Sequence, residues 1–259
     1  MVEYPLTMDT HGTYTWQVRT YECGPDGLMT LPAVCNYLQE AASLNAEELG
    51  FSKTDFAAAG ANTTWVLTRL RVRMARLPKW GERVTVLTFP RLGRRITAFR
   101  DFALTDAAGA PLGVATSEWM TIDLASRRIV PIPEGVFAKA NTARAPVLGA
   151  DAFAAKLRFP EGAAVAEQRF RAQRSHIDLN GHVNNVHYVE WMLEPAPEVS
   201  GAGVDLELLF RSETLAGDEV VAQASPGADG ETWLRVSAPD GREHVVGRMV
   251  RGTVEMSRG

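Results

Sequence analysis

The chain has 259 residues, of which 46% are hydrophobic and 22% charged, with a net charge of −4. This balance excludes a disordered chain, and no apolar run approaches the roughly 18 residues of a membrane-spanning helix. The acidic charge argues against nucleic acid as the main partner, and at about 150 residues per domain the length fits one large domain or two modest ones.

The first residues, MVEYPLTMDTHGTYTW, hold neither a basic stretch nor an apolar core, so no export signal is expected. Residues 13–22, rich in β-branched and aromatic types, predict a strand, and Gly24-Pro25-Asp26-Gly27 a turn. A helix is predicted over 31–49. Leu31, Val34, Leu38, Ala41 and Leu49 follow a 3.6-residue period, Pro32 suits a first turn and Gly50 a stop. Cys23 and Cys35 are the only cysteines, too few for a disulfide framework, and read as a reduced pair. No zinc-ligand or dinucleotide-binding spacing occurs. Four strands follow: 65–76, with Val66, Leu70, Val72 and Met74 between polar residues, then 82–89, 95–105 and 112–123.

Residues 131–162 carry Pro131, Pro133, Pro146 and Pro160 and little periodicity. They predict a linker with a short helix near 150–156. Beyond it the first half's order returns: a strand at 164–174, then a helix at 182–194 stopped by Pro195 and Pro197. Strands follow at 204–211, 219–224, 231–238 and 243–254, with Asp240-Gly241 as a hairpin turn. Two anchors support a repeat. Tyr37 and Tyr188 take similar places in the two helices, and Trp80-Gly81-Glu82 and Ala216-Gly217-Asp218 occupy the same strand turn. The expected class is α+β: tandem hotdog units, each a long helix wrapped by a curved antiparallel sheet. Joining the sheets edge to edge removes two exposed edges. The expected boundaries are 1–130 for the first unit, 131–162 for the linker and 163–259 for the second.

Polar chemistry collects in Ser175-His176-Ile177-Asp178-Leu179-Asn180-Gly181-His182-Val183-Asn184-Asn185. In an extended segment, Asp178, Asn180 and His182 point to one side. A helix starting near Gly181 or His182 aims free N–H groups at the same place, where they can hold an oxyanion. Asp178 or Asn180 can also be a simple helix cap. Aligning Tyr37 with Tyr188 sets Gly27, Met29 and Leu31 against Asp178, Asn180 and His182, so the fold does not require the polar residues. Glu213 falls opposite Leu77, either as a solvated strand end or as a carboxylate within reach of a water. Metal binding by His176, His182 and His187 fits no common spacing, and Ser175 lies in no nucleophile elbow. Arg69, Arg71, Arg73 and Arg76, and Arg91, Arg94, Arg95 and Arg100, read as solvated strand faces or as a surface steering an acidic carrier protein. Trp65 and Met29 read as core rather than acyl pocket.

The run from Arg174 to Tyr188 resembles the Asp-x-Asn-x-His-Val-Asn-Asn motif of plant-type and bacterial acyl-acyl carrier protein thioesterases, and Trp191-Met192-Leu193-Glu194 resembles the family's Trp-x-Leu-Glu. Thr64-Trp65-Val66-Leu67-Thr68-Arg69 and Pro78-Lys79-Trp80-Gly81-Glu82 are similar to its N-terminal hotdog, so the likeness runs from about residue 13 to 251. The resemblance implies Asp178, Asn180, His182 and Glu213 as the catalytic set. It also implies hydrolysis of an acyl-acyl carrier protein to a free fatty acid, ending fatty acid synthesis. Where family members often carry a Cys after the Glu, this chain has Thr214, which favours water as the nucleophile. No cofactor is implied. The expected partner is an acylated acyl carrier protein, with neither nucleic acid nor membrane involved. The expected setting is the bacterial cytoplasm, and association into a homodimer is a further expectation. An acyl-coenzyme A thioesterase, a hotdog hydratase or dehydratase, and a non-catalytic acyl-binding module are the alternative readings.

Overall fold

A computed structural model describes residues 10–93, 96–133, 136, 144–149, 151–162, 166–199 and 203–252. Among these residues, eleven strands form one antiparallel sheet in the order β1-β3-β4-β5-β2-β8-β11-β10-β9-β7, with β6 beside β5. The first half supplies β1 (Gly12–Gln17), β2 (Thr63–Met74), β3 (Arg83–Leu92), β4 (Ala98–Thr105), β5 (Pro111–Asp123) and β6 (Ile129–Val130). The second supplies β7 (Ala166–Arg171), β8 (Val204–Phe210), β9 (Glu219–Pro226), β10 (Glu231–Ser237) and β11 (Glu243–Arg251). The order of the second half mirrors that of the first, and the two meet where β2 pairs with β8, from Arg69↔Leu209 to Met74↔Val204. This edge-to-edge union is the tandem hotdog architecture expected from the sequence. Each half would otherwise expose a long central strand.

Helix α1 (Leu31–Glu48) begins where Thr30 caps the Ala33 N–H, with Pro32 in the first turn. It ends at Leu49, and Gly50 follows at a φ of +71°, a conformation that favours glycine. Its stripe of Leu31, Val34, Leu38 and Ala41 is buried. Each large member of that stripe contributes about 1.5–3 kcal/mol of burial. Helix α3 (Asn185–Leu193) buries Val186, Tyr188, Val189, Trp191 and Met192, and the two helices share one continuous core with the sheet. A short helix, α2 (Lys53–Ala58), absent from the sequence reading, packs Phe56 against Trp65 in a second cluster. No helix among the described residues is long and apolar enough to cross a membrane.

Three expectations need correction. First, β2 does not keep one alternating phase. A bulge falls between Leu67 and Arg69, so Leu67 is buried while Val66 is only partly so. Second, no helix forms within 151–156. Residue 150 lies outside the described residues. Here the backbone is drawn onto the sheet: Arg71 and Arg69 donate to the Ala152 and Ala154 carbonyls at 2.9 and 2.6 Å, and the Ala154 N–H donates to Glu207 at 2.7 Å. Third, the first arginine group is not a solvated face. Asp205 and Glu207 of β8 stand beside it across the seam. Arg71 pairs with Asp205 at 2.8 Å, Arg73 with Asp205 at 2.9 Å and Arg69 with Glu207 at 3.4 Å. Burial would raise the Asp205 carboxyl, and Arg71 and Arg73 outweigh it, holding it below its ordinary value. Arg76 pairs with Glu82 and Asp106, and Arg91 with Asp101. Arg100 is buried, while Arg94 and Arg95 lie outside the described residues.

Candidate active site

The polar loop is a tight turn rather than an extended segment. The Asp178 N–H donates to the His182 carbonyl at 2.9 Å, and the Gly181 N–H donates back to the Asp178 carbonyl at 3.0 Å. Asp178 Oδ1 accepts the Asn180 N–H at 2.7 Å, the side-chain-to-backbone closure that Asp favours. Gly181 takes a φ of +82°. Helix α3 therefore starts three residues beyond His182, and its cap is Asn184, whose Oδ1 accepts the Val186 N–H at 3.0 Å. The N–H groups expected to hold an oxyanion near His182 and Val183 are partly spent in folding. Val183 donates to the Thr214 carbonyl and Asn184 to the His176 carbonyl.

The same bonds occur in the first half. Gly24 N–H donates to Leu28, Gly27 to Gly24, Met29 to Pro78 and Thr30 to Glu22. The matching pairs set Gly24, Asp26 and Leu28 against Asp178, Asn180 and His182. The Tyr37–Tyr188 alignment is thus out by one helical turn. Tyr37 is the seventh residue of α1, as Trp191 is of α3. Aromatic residues one turn apart lie on the same helix face, so periodicity alone does not separate the two alignments. The alignment of Leu77 with Glu213 holds, since Met29 donates to Pro78 as Val183 donates to Thr214.

The structure brings His182 and Glu213 together: Nε2 lies 3.1 Å from Oε2. The same Glu213 oxygen is bonded by Arg127, from the turn between β5 and β6. His182 is the most sheltered of the three, 25% exposed against 45% for Glu213 and 44% for Arg127. Arg127 sits at a φ of +58°, a left-handed conformation uncommon for a side chain of its size. Asn180 meets a different cation, Lys53 of α2, whose Nζ lies 3.2 Å from Oδ1. Two basic residues of the first half thus hold two polar residues of the second. Neither was found from the sequence, because each lies far along the chain in a segment with no motif of its own. Asp178 faces its own turn.

The remaining histidines make local contacts. His176 accepts the Gln173 N–H and lies 4.6 Å, ring to ring, from His187, which pairs with Glu190 at 2.6 Å. Ser175 is exposed in a single turn of tight helix. His244, which the sequence reading passed over, is buried beside the site, with Nδ1 2.9 Å from the Ser212 hydroxyl. Burial lowers its pKa.

Beside α3 an apolar cleft lies between the two helices and the sheet, walled by Leu38, Ala42, Leu70, Phe102, Val189 and Phe210, with Asn185 among its few polar residues. Its free volume is about 30 Å³, far below the roughly 300–1,000 Å³ of a filled ligand pocket, so its walls are closed together. Cys35 also lines it. Both cysteines are free, and burial pushes the Cys35 thiol up to about 12, so it stays protonated. Met29 belongs to the core and Trp65 packs on Phe56; neither lines the cleft.

Residues 10–140 match the family model of the acyl-ACP thioesterase N-terminal domain, and residues 161–232 that of the C-terminal domain. The chain is 29% identical over 237 residues to the chloroplastic oleoyl-acyl carrier protein thioesterase of Coriandrum sativum, which covers 83% of this chain and 62% of that protein. It is 31% identical over 190 residues to the chloroplastic palmitoyl-acyl carrier protein thioesterase of Gossypium hirsutum, covering 70% and 46%. The chain therefore spans about half the length of curated relatives it matches. Its fold is that of the 12:0-ACP thioesterase from Umbellularia californica, with a TM-score of 0.84 at 23% identity over 95% of this chain and 98% of that one. An acyl-ACP thioesterase from Bacteroides thetaiotaomicron superposes with a TM-score of 0.82, also at 23% identity, over 94% and 98%. With both halves matched in order along one continuous sheet, this chain belongs to the acyl-ACP thioesterase family.

Proposed function

We propose that this chain hydrolyses the thioester of an acyl chain borne by acyl carrier protein, releasing a free fatty acid. The observation that carries the reading is a His–carboxylate pair, His182 and Glu213, set just ahead of a helix whose first residues wall an apolar cleft. The family supports it, since relatives are named oleoyl-, palmitoyl- and dodecanoyl-acyl carrier protein thioesterases or hydrolases.

Glu213 accepts the Nε2 proton of His182, leaving Nδ1 as the base. His182 takes a proton from water as the water oxygen bonds to the thioester carbonyl carbon. The tetrahedral intermediate then collapses, the C–S bond breaks, and the proton on His182 passes to the departing thiolate. The products are a carboxylic acid and a thiol. General-base assistance of this kind is worth roughly 10²–10⁴ in rate. The Asn185 N–H, in the first turn of α3 and on the cleft wall, is the donor we assign to the oxyanion, because such an N–H has no acceptor within its helix. Asp178 and Asn180 act as positioning residues, Asp178 by closing the turn that presents His182 and Asn180 through Lys53. Thr214 replaces the cysteine of other members, so no thiol stands there to attack.

We place the reaction in a reducing compartment such as the bacterial cytoplasm, in keeping with two free cysteines. A homodimer is proposed as the assembled form, to be checked by light scattering. The decisive assay is thiol release from saturated acyl chains of graded length on acyl carrier protein and on coenzyme A. Turnover that favours the protein carrier supports the reading. A preference for coenzyme A would reassign the carrier. No thiol release from any substrate would leave a hydratase or a binding module and reject hydrolysis.

A further inference from the structure

The cleft crosses the sheet from Phe210 on β8, over Leu70 on β2 and Ser117 on β5, to Phe102 on β4. Three inter-strand steps of about 4.8 Å make this roughly 14 Å. Arg100 is not itself a wall residue but stands beside two of them at this end. It lies two residues before Phe102 on β4 and directly opposite Ser117 in the β4–β5 register, so all three share one face of the sheet. From the helix side, Asn45 is one turn beyond the wall residue Ala42. Arg100 Nη1 donates to Asn45 Oδ1 at 2.6 Å and to Thr88 Oγ1, on the next strand outward, at 3.3 Å.

This guanidinium is 7% exposed, and Asn45 and Thr88 are buried with it. Among the described residues, no carboxylate lies within ion-pair distance of it, whereas Arg71, Arg76 and Arg91 each have one. Burial lowers its pKa to about 10. A buried cation held, among the described residues, by neutral oxygens works against stability, and an apolar residue would serve the core better. The second half shows the fold does without it: followed through the strand registers, the matching position is Thr232.

We propose that Arg100, braced by Asn45 and Thr88, is the specificity-determining residue that closes the far end of the cleft and sets the longest acyl chain accepted. Methylenes that reach it would have to displace a desolvated charge from its hydrogen bonds to Asn45 and Thr88. This inference rests on the acyl-thioesterase reading above.

The test is kcat/KM for thiol release across saturated acyl-acyl carrier proteins of graded length, comparing wild type with Arg100→Met, alongside thermal unfolding. Discrimination by a pocket end runs at about 10–200-fold per methylene. Arg100→Met is therefore expected to raise the ratio of long-chain to short-chain kcat/KM by about tenfold or more. Should that variant not fold, Arg100→Gln, which loses the charge and part of the length, shifts the profile in the same direction. A folded Met or Gln variant whose profile superimposes on that of wild type overturns the inference while leaving the thioesterase reading intact. A wild type that releases no thiol from any substrate overturns both.

Discussion

Replacing Glu213 with Gln separates chemistry from stability, because the structure gives different magnitudes for the two. Glu213 holds Arg127 and His182 through one oxygen, and the three side chains are 25–45% exposed. Ion pairs this accessible are screened and contribute less than about 1 kcal/mol. For a chain of this size that is a Tm change of at most about 2–4 °C. The effect on turnover is larger. A Gln amide keeps the shape of the carboxylate, yet it can present an N–H group to His182, and it cannot stabilise the imidazolium formed when water gives up its proton. With general acid–base help worth roughly 10²–10⁴, kcat is expected to fall about 10²–10³-fold with KM little changed, the pattern of a contact that strengthens in the transition state. The assay is thiol release from acyl-acyl carrier protein, with circular dichroism confirming the fold. A folded Glu213→Gln variant with kcat within about threefold of wild type would refute the role assigned to the carboxylate.

Arg127→Ala removes the second partner of the same oxygen. Its kcat is expected to fall by less than that of Glu213→Gln, with little change in Tm; an equal or greater loss would make Arg127 itself a participant. His244 has a pKa lowered by burial, so the unfolded chain binds protons before the folded one does. The stability this contributes is complete above the ordinary histidine value of about 6.5 and is lost as pH falls below it. His244→Gln should flatten the fall of Tm between neutral and mildly acid pH. His176, also lowered by burial, keeps part of the slope, and an unchanged slope in His244→Gln would contradict the assignment. Gly113 pairs with Met74 where β5 runs beside β2, and a Cβ there would stand 2.7 Å from the Arg73 carbonyl oxygen. Gly113→Ala is expected to cost about 1–3 kcal/mol in urea unfolding, and a neutral result would show that the strands can part.

Periodicity and turn residues were enough to read α1, its Gly50 stop and the repeated strand order, because each is set by local sequence. The failures arise where distant residues decide. The bulge at Thr68 is fixed by its bonds to Glu118 on the neighbouring strand. The arginines of β2 look solvated until Asp205 and Glu207 arrive from the other half. Asn184, not Asp178 or Asn180, caps α3, because Asp178 closes the preceding turn on itself. In the site, the motif marks His182, and the repeat marks Glu213 through its apolar counterpart Leu77. Arg127 and Lys53 reach these residues only once the two sheets have joined, and nothing in their local sequence points there.

The most direct test of the central claim compares wild type with His182→Ala in thiol release from a saturated acyl-acyl carrier protein under single-turnover conditions. The expected result is rapid release by wild type and a rate at least about tenfold lower in the folded variant. Equal rates in the two proteins would contradict the account.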